Sequence, residues 1–268
     1  GVQVLVAEDN RINQEVMDGY LAAFGCEMTL VQDGDEALRW LEKQRFDVIL
    51  LDCLMPRRDG MDTARAIRAR QDDLHRLPLV AVTADMSPAR RASCDQAGFD
   101  LLLAKPFSRQ ELHATISRAL GLAPERVVGR TAAVGRNGDR TEQVPRLDPA
   151  ALTALSSARR GGDDLLARLH KLYEEYAPGY IRQIRDGIAA GEPQRVRVAA
   201  HTLRSNAATL GLQRLATACS ELETTALAAM DGGDADLDPP GTRVLEEFEP
   251  ALAALRGALA AEGVGGGR

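Results

Sequence analysis

The first 120 residues alternate short apolar runs with amphipathic stretches, and that alternation restricts the fold more than any other feature of the chain. The runs are Val2–Ala7, Met28–Val31, Phe46–Leu51, Leu79–Thr83 and Leu101–Ala104. Between them lie helix-like segments near Ile12–Phe24, Glu36–Lys43, Thr63–Arg70, Pro88–Ala97 and Arg109–Leu120. The first, third and fourth runs are almost wholly apolar, as strands covered on both faces must be. Five short strands alternating with five helices read as a doubly wound parallel α/β sheet.

Residues 121–146 lose that periodicity. Gly121, Gly129, Gly135, Gly138, Pro124 and Pro145 punctuate them, which reads as a flexible linker. From 147 to 262 the pattern is helical. Helices are predicted over Pro149–Arg159, Asp163–Ala190, Gln194–Leu210, Leu212–Met230 and Thr242–Glu262, broken by Gly191, Gly211 and the segment Asp231–Gly241. Only 4% of residues are aromatic, and Ala and Leu dominate this half, so an all-α bundle packed through aliphatic side chains is expected. Residues 263–268 read as a disordered tail. A chain of 268 residues suits two domains better than one.

Charge and cysteine usage narrow the function. The net charge is −6, and no dense Lys/Arg run offers phosphate-backbone contacts, so a nucleic-acid binder is not expected. Cys26, Cys53, Cys94 and Cys219 are scattered without a C-x-x-C pair, which argues against zinc or a disulfide framework and for a reducing, cytoplasmic setting. No apolar run reaches the roughly 18–20 residues that span a bilayer, so no membrane contact is expected of this segment. The chain opens on Gly1 with a strand-like run at once, as a segment of a longer or processed polypeptide would, and that parent could be anchored in the inner membrane by upstream regions.

Polar residues gather where the apolar runs stop. Glu8 and Asp9 follow the first, Asp52 follows the third, Thr83 closes the fourth and Lys105 follows the fifth. In an open parallel sheet these strand ends share one edge, where ligands bind. Taken singly, each reads as a solvated loop residue; together they make a coherent site. Clustered carboxylates need a cation, and oxygen ligands with room for water suit Mg²⁺. A carboxylate could then attack phosphorus while Lys105 and Thr83 hold phosphoryl oxygens, giving a labile acyl phosphate.

The segments Val4–Asn10, Asp47–Pro56, Asp59-Gly60, Val82–Ala84 and Ala104–Phe107 resemble, in order, those of a response-regulator receiver domain. The resemblance covers residues 1–120 and implies a flavodoxin-like (βα)5 fold. It implies that Asp52 is the phospho-acceptor and that Glu8, Asp9, Asp52 and the backbone carbonyl of Leu54 hold Mg²⁺. Thr83 would be the switch hydroxyl and Lys105 the phosphate-binding cation, with a cis Lys105–Pro106 bond. Leu102 stands where many receivers carry Tyr or Phe, so an aromatic-coupled output is not implied.

In the second half His201 is singled out by geometry. At about 100° per residue, Val196, Ala200, Leu203, Ala207 and Leu210 fall on one core stripe, and His201 lies about 140° from it. It is expected to project into solvent beside Arg197, Arg204, Ser205 and Ala208, with the arginines placed to hold a phosphoryl group. His75, His113 and His170 fit structural or solvent roles better. The string Ala200–Gly211 resembles a histidine phosphotransfer (HPt) domain motif, within a bundle spanning residues 147–262. Arg204 replaces the family's usual lysine and keeps its charge. Ser205 replaces the usual glycine, which predicts slower transfer.

The resemblances together imply a phosphorelay module from the C-terminal part of a hybrid sensor histidine kinase. Its partners would be an upstream kinase core in the same parent and a downstream response-regulator receiver. The sequence carries no ATP-binding boxes, so it should not phosphorylate itself from ATP. A stand-alone phosphate sink and a non-catalytic interaction scaffold are the alternatives. A phosphatase is disfavoured, because Leu54 occupies the place of the needed second aspartate.

Overall fold

The computed structural model describes residues 1–122, 145–156, 159–160, 163–233 and 235–261. Most of the expected linker (123–144), Glu262 and the tail 263–268 lie outside the described residues. The chain divides into two units, residues 1–138 and 139–268.

The first unit alternates β1 (Gln3–Ala7), α1 (Arg11–Ala23), β2 (Glu27–Val31), α2 (Gly34–Leu41), β3 (Val48–Asp52), α3 (Gly60–Arg68), β4 (Leu79–Thr83), α4 (Pro88–Ala97), β5 (Leu101–Ala104) and α5 (Arg109–Ala119). All strand pairs are parallel, in the order β2-β1-β3-β4-β5. The expected flavodoxin-like sheet is therefore present. Ile49, Leu50 and Leu51 of β3 are fully buried, each contributing roughly 1.5–3 kcal/mol relative to exposure. Helix starts follow from side-chain caps: Asn10 for α1, Asp33 for α2, Asp59 for α3, Ser87 followed by Pro88 for α4, and a Ser108–Glu111 capping box for α5. β3 reaches one residue further than its apolar run. Asp52 pairs in register with Val82, and the Cys53 N–H donates to the Val82 carbonyl at 3.1 Å, because sheet pairing rather than hydropathy ends the strand.

The second unit begins with α6 (Pro149–Ser156), shorter than the expected helix to Arg159. Arg159–Arg160 (β6) instead pairs antiparallel with Asp163–Asp164 (β7); Gly161-Gly162 between them in the sequence is a two-residue hairpin signal. Then come α7 (Leu165–Ala189), α8 (Pro193–Thr209), α9 (Gln213–Met230) and α10 (Asp238–Ala261). α8 packs along α9, α7 on α8, and α10 on α9 and α7. α10 starts four residues before the expected Thr242, since Pro239 and Pro240 sit in its first turn, where a missing N–H breaks no helical bond. The bundle core holds Leu169, Tyr173, Ile184, Leu203, Leu215, Cys219, Leu222, Val244 and Leu255, all fully buried. Among the described residues no helix is long and apolar enough to cross a membrane.

Candidate functional site

The order of the first sheet reverses between β1 and β3, and the carboxyl ends of those strands supply its acidic group. Glu8 follows β1 and is fully buried. One oxygen, Oε1, accepts from the Asn10 N–H (3.2 Å) and Asn13 Nδ2 (3.0 Å). Gln14 Nε2 donates to the Glu8 carbonyl at 2.6 Å. The first turn of α1 thus fixes Glu8 from below. Asp52 is 5% exposed, and its Oδ1 accepts from the Leu54 N–H at 3.1 Å. Lys105, entering after β5 through a cis Lys105–Pro106 bond, donates from Nζ to Glu8 Oε2 (2.6 Å) and Asp52 Oδ2 (2.7 Å).

Carboxylate oxygens of Glu8, Asp9 and Asp52 lie within 4.8 Å of one another. Burial pushes the Glu8 carboxyl up to about 8; Lys105 opposes that shift and the Asp52 charge adds to it. Burial disfavours the Lys105 ammonium too, but Asp52 and then Glu8 outweigh it and raise its affinity for the proton. Three convergent oxygen ligands, one of them kept from ionising easily by burial, make a donor set that fits a divalent, oxygen-preferring cation such as Mg²⁺.

Of the remaining expected residues, Leu54 touches the site through its N–H. Thr83 is 4% exposed at the end of β4, but its hydroxyl is engaged with Asp85, accepting from its N–H at 3.1 Å and donating to its carbonyl at 3.3 Å. Leu102 is partly buried against the core. Asn13 and Gln14, which hold Glu8, were not singled out from sequence; both are polar residues facing inward from an amphipathic helix, directly after Ile12.

His201 stands on α8, and here one expectation needs correction. The core stripe Val196, Ala200, Leu203, Ala207 and Leu210 is fully buried as expected. The imidazole, however, does not project freely into solvent: its side chain is 17% exposed. α9 runs beside it, and His201 Nδ1 lies 2.8 Å from Glu223 Oε1. Arg204 Nε is 3.0 Å from the other Glu223 oxygen, an ion pair without the alignment of a hydrogen bond. Ser205 is 5% exposed, so it is not the open neighbour of the imidazole that the helical spacing predicts. Single-helix arithmetic missed this because α8 is covered by both α7 and α9.

Glu223 is the partner of the candidate histidine that sequence reading overlooked. Its only signal was a carboxylate in the Cys219–Glu223 segment following the histidine motif. Burial works against its charge, but the His201 hydrogen bond, then the charges of His201, Arg204 and Arg197, hold its carboxyl below the usual range. A carboxylate only accepts, so whenever the imidazole is neutral its proton sits on Nδ1, facing Glu223, and the lone pair is on Nε2. The other histidines make local contacts: His113 with the Phe24 ring (centroids 4.7 Å apart), His75 with the Asp72 carbonyl, and His170 with Glu174 at 3.5 Å.

Comparison with known proteins matches residues 4–117 to the response regulator receiver domain family and residues 168–262 to the Hpt domain family. Response regulator MprA of Mycolicibacterium vanbaalenii is 37% identical over 134 residues, 50% of this chain and 57% of that protein. Probable histidine kinase 4 of Oryza sativa subsp. japonica is 32% identical over 141 residues, 45% of this chain and 14% of that protein. The chain therefore spans only part of these relatives. The receiver domain of sensor histidine kinase PA1611 from Pseudomonas aeruginosa PAO1, solved with magnesium in its active site cleft, is 43% identical. That match covers 45% of this chain and 98% of that one, with a TM-score of 0.43.

Proposed function

The chain joins a response-regulator receiver domain to an Hpt domain, and from that premise we propose a two-component phosphorelay module that moves a phosphoryl group between Asp52 and His201 and on to the aspartate of a separate receiver. The observation that carries the reading is the buried Glu8–Asp52–Lys105 cluster at the carboxyl edge of the sheet. With Asp9 beside it, the cluster offers an oxygen donor set that fits Mg²⁺, and it places an acceptor carboxylate against a fixed ammonium.

Glu8, Asp9, Asp52 and the Leu54 carbonyl are the groups that would hold Mg²⁺. When bound, the ion neutralises charge on the phosphoryl oxygens. The chain's own residues do the rest. An Asp52 oxygen attacks phosphorus as the bond to the donor nitrogen breaks, and the product is an acyl phosphate. Lys105 exchanges part of its ion pairing with Asp52 for a phosphoryl oxygen, and Thr83 leaves Asp85 to donate to another. In the next step Nε2 of His201 attacks the same phosphorus and the P–O bond to Asp52 breaks, restoring the carboxylate. Glu223 holds the Nδ1 proton while the ring gains positive charge, and Arg204 supplies charge near the transferred group. The phosphoryl donor would be a histidine kinase core in a hybrid parent, and the site of action the cytoplasm.

The test uses the whole chain with acetyl phosphate and Mg²⁺. Wild type should be labelled at Asp52, and Asp52→Asn should abolish that label. His201→Gln should keep it but stop passage to an added receiver. Labelling that survives Asp52→Asn and EDTA would overturn the reading.

A further inference from the structure

The loop between β3 and α3, residues 53–59, begins and ends on Asp52. At its start the Leu54 N–H donates to Asp52 Oδ1 at 3.1 Å. At its end Gly60 presses on the Asp52 backbone: a Cβ there would overlap the Asp52 carbonyl oxygen and lie 3.2 Å from Cys53 Cα. The middle of the loop is held by a different element, the turn between β2 and α2. Asp33, 1% exposed, receives the Arg57 guanidinium through both Nε and Nη2 on one oxygen, Oδ2. Its other oxygen caps α2 on the Glu36 N–H at 2.7 Å. The Gly34 N–H donates to the Arg58 carbonyl at 3.0 Å, and Arg58 Nε reaches Asp35 Oδ1 at 2.7 Å.

Arg57 has φ 62, the one non-glycine residue with positive φ among the described residues. Side chains rarely adopt that conformation, and it persists only where the surroundings impose it. The two arginine pairs differ in kind. Asp35 is 43% exposed and Arg58 38%, so water screens that pair. Arg57 itself is 63% exposed, so the difference lies on the acid side: Asp33 is 1% exposed and has its second oxygen committed to the helix cap, which leaves water little access to the oxygen that Arg57 meets.

We propose that Arg57 is a positioning residue for the cation site: paired with buried Asp33, it holds the β3–α3 loop in the conformation that aims the Asp52 carboxylate at Glu8 and Asp9. Without that pairing Arg57 relaxes to negative φ, the loop swings, and the Leu54 N–H leaves Asp52 Oδ1. The three carboxylates then no longer share one ion without reorganising. The inference rests on the Mg²⁺ reading above and specifies which residue outside the donor set controls it.

Calorimetric titration of Mg²⁺ into the full chain tests it, with thermal unfolding in parallel. Arg57→Ala should weaken Mg²⁺ binding about tenfold, the scale seen when a group that orients a ligand is lost. Arg57→Lys, which keeps a cation opposite Asp33, should recover most of that loss. Arg58→Ala removes the screened pair and should stay within about twofold of the parent. A merely structural role would lower the unfolding temperature of Arg57→Ala and leave its Mg²⁺ affinity unchanged; that result overturns the proposal. So does equal weakening by Arg58→Ala, which would make the loop as a whole responsible. A parent chain that takes up no Mg²⁺ overturns the underlying reading, and this inference with it.

Discussion

At the residue scale, the bond between Glu223 and His201 decides where the imidazole proton sits, and so which nitrogen can attack phosphorus. Glu223→Ala removes the carboxylate that pairs with Nδ1 and leaves the ring free to turn and to change tautomer. Transfer to His201 from phosphorylated Asp52 should slow roughly 10–100-fold, while Asp52 labelling by acetyl phosphate is unchanged. Glu223→Gln still offers an oxygen to Nδ1–H and should fall between the two. A wild-type rate in the alanine variant would remove Glu223 from the mechanism. The same residue links stability to pH. Its folded-state carboxyl titrates below the ordinary 4.5, so the folded state resists its protonation. That contribution is fully present above pH 4.5 and is lost as pH falls below 4.5 through the folded-state value. Urea unfolding of wild type and Glu223→Gln should give a difference that shrinks as pH falls below 4.5. A difference that does not change across that range would contradict the assignment.

Elements transmit such constraints through close backbone approach. Gly60 opens α3 against the Asp52 carbonyl, and no side chain fits there. Gly60→Ala should cost about 1–3 kcal/mol, as overpacking of a tight site does, read as a lower urea midpoint with an unchanged slope. It should also reduce Asp52 labelling, because the strand end must shift to admit the methyl group. Much at this scale was legible in the sequence. β1, β3 and β4 are apolar except for one terminal residue each because both faces are covered, and so they announce themselves as runs. The acidic pair, Asp52, Thr83 and Lys105 were legible because a parallel sheet gathers its strand ends at one edge. Features depending on a neighbouring element were not. Whether His201 faces water depends on how closely α9 lies beside α8, and no periodicity within α8 records that. Asn13 and Gln14 read as ordinary polar positions until β1 delivers Glu8 beneath them. The pairing of β6 with β7, and α10 starting at Asp238, depended on local glycine and proline chemistry that a count of apolar spacing passes over.

For the whole molecule, each unit owns a separate core: the sheet residues of the first include Leu5, Ile49, Leu79 and Val80, and the helix residues of the second include Tyr173, Leu203 and Leu222. Units with separate cores unfold as separate cooperative transitions. A cation bound by Glu8, Asp9 and Asp52 stabilises the first unit by mass action, about 2.7 kcal/mol when Mg²⁺ exceeds its dissociation constant 100-fold. For a domain near 100 residues that moves the midpoint by on the order of 10 °C. Calorimetry of the full chain should therefore show two transitions, one rising with Mg²⁺ and one indifferent to it. Asp52→Asn should blunt the rise in the first without moving the second, and Leu203→Ala should lower only the second, by about 2–5 kcal/mol. A single transition, or a Mg²⁺-dependent second one, would mean that the units do not hold their stability separately. The phosphoryl group would then pass between parts of one cooperative body rather than between two modules on a common chain.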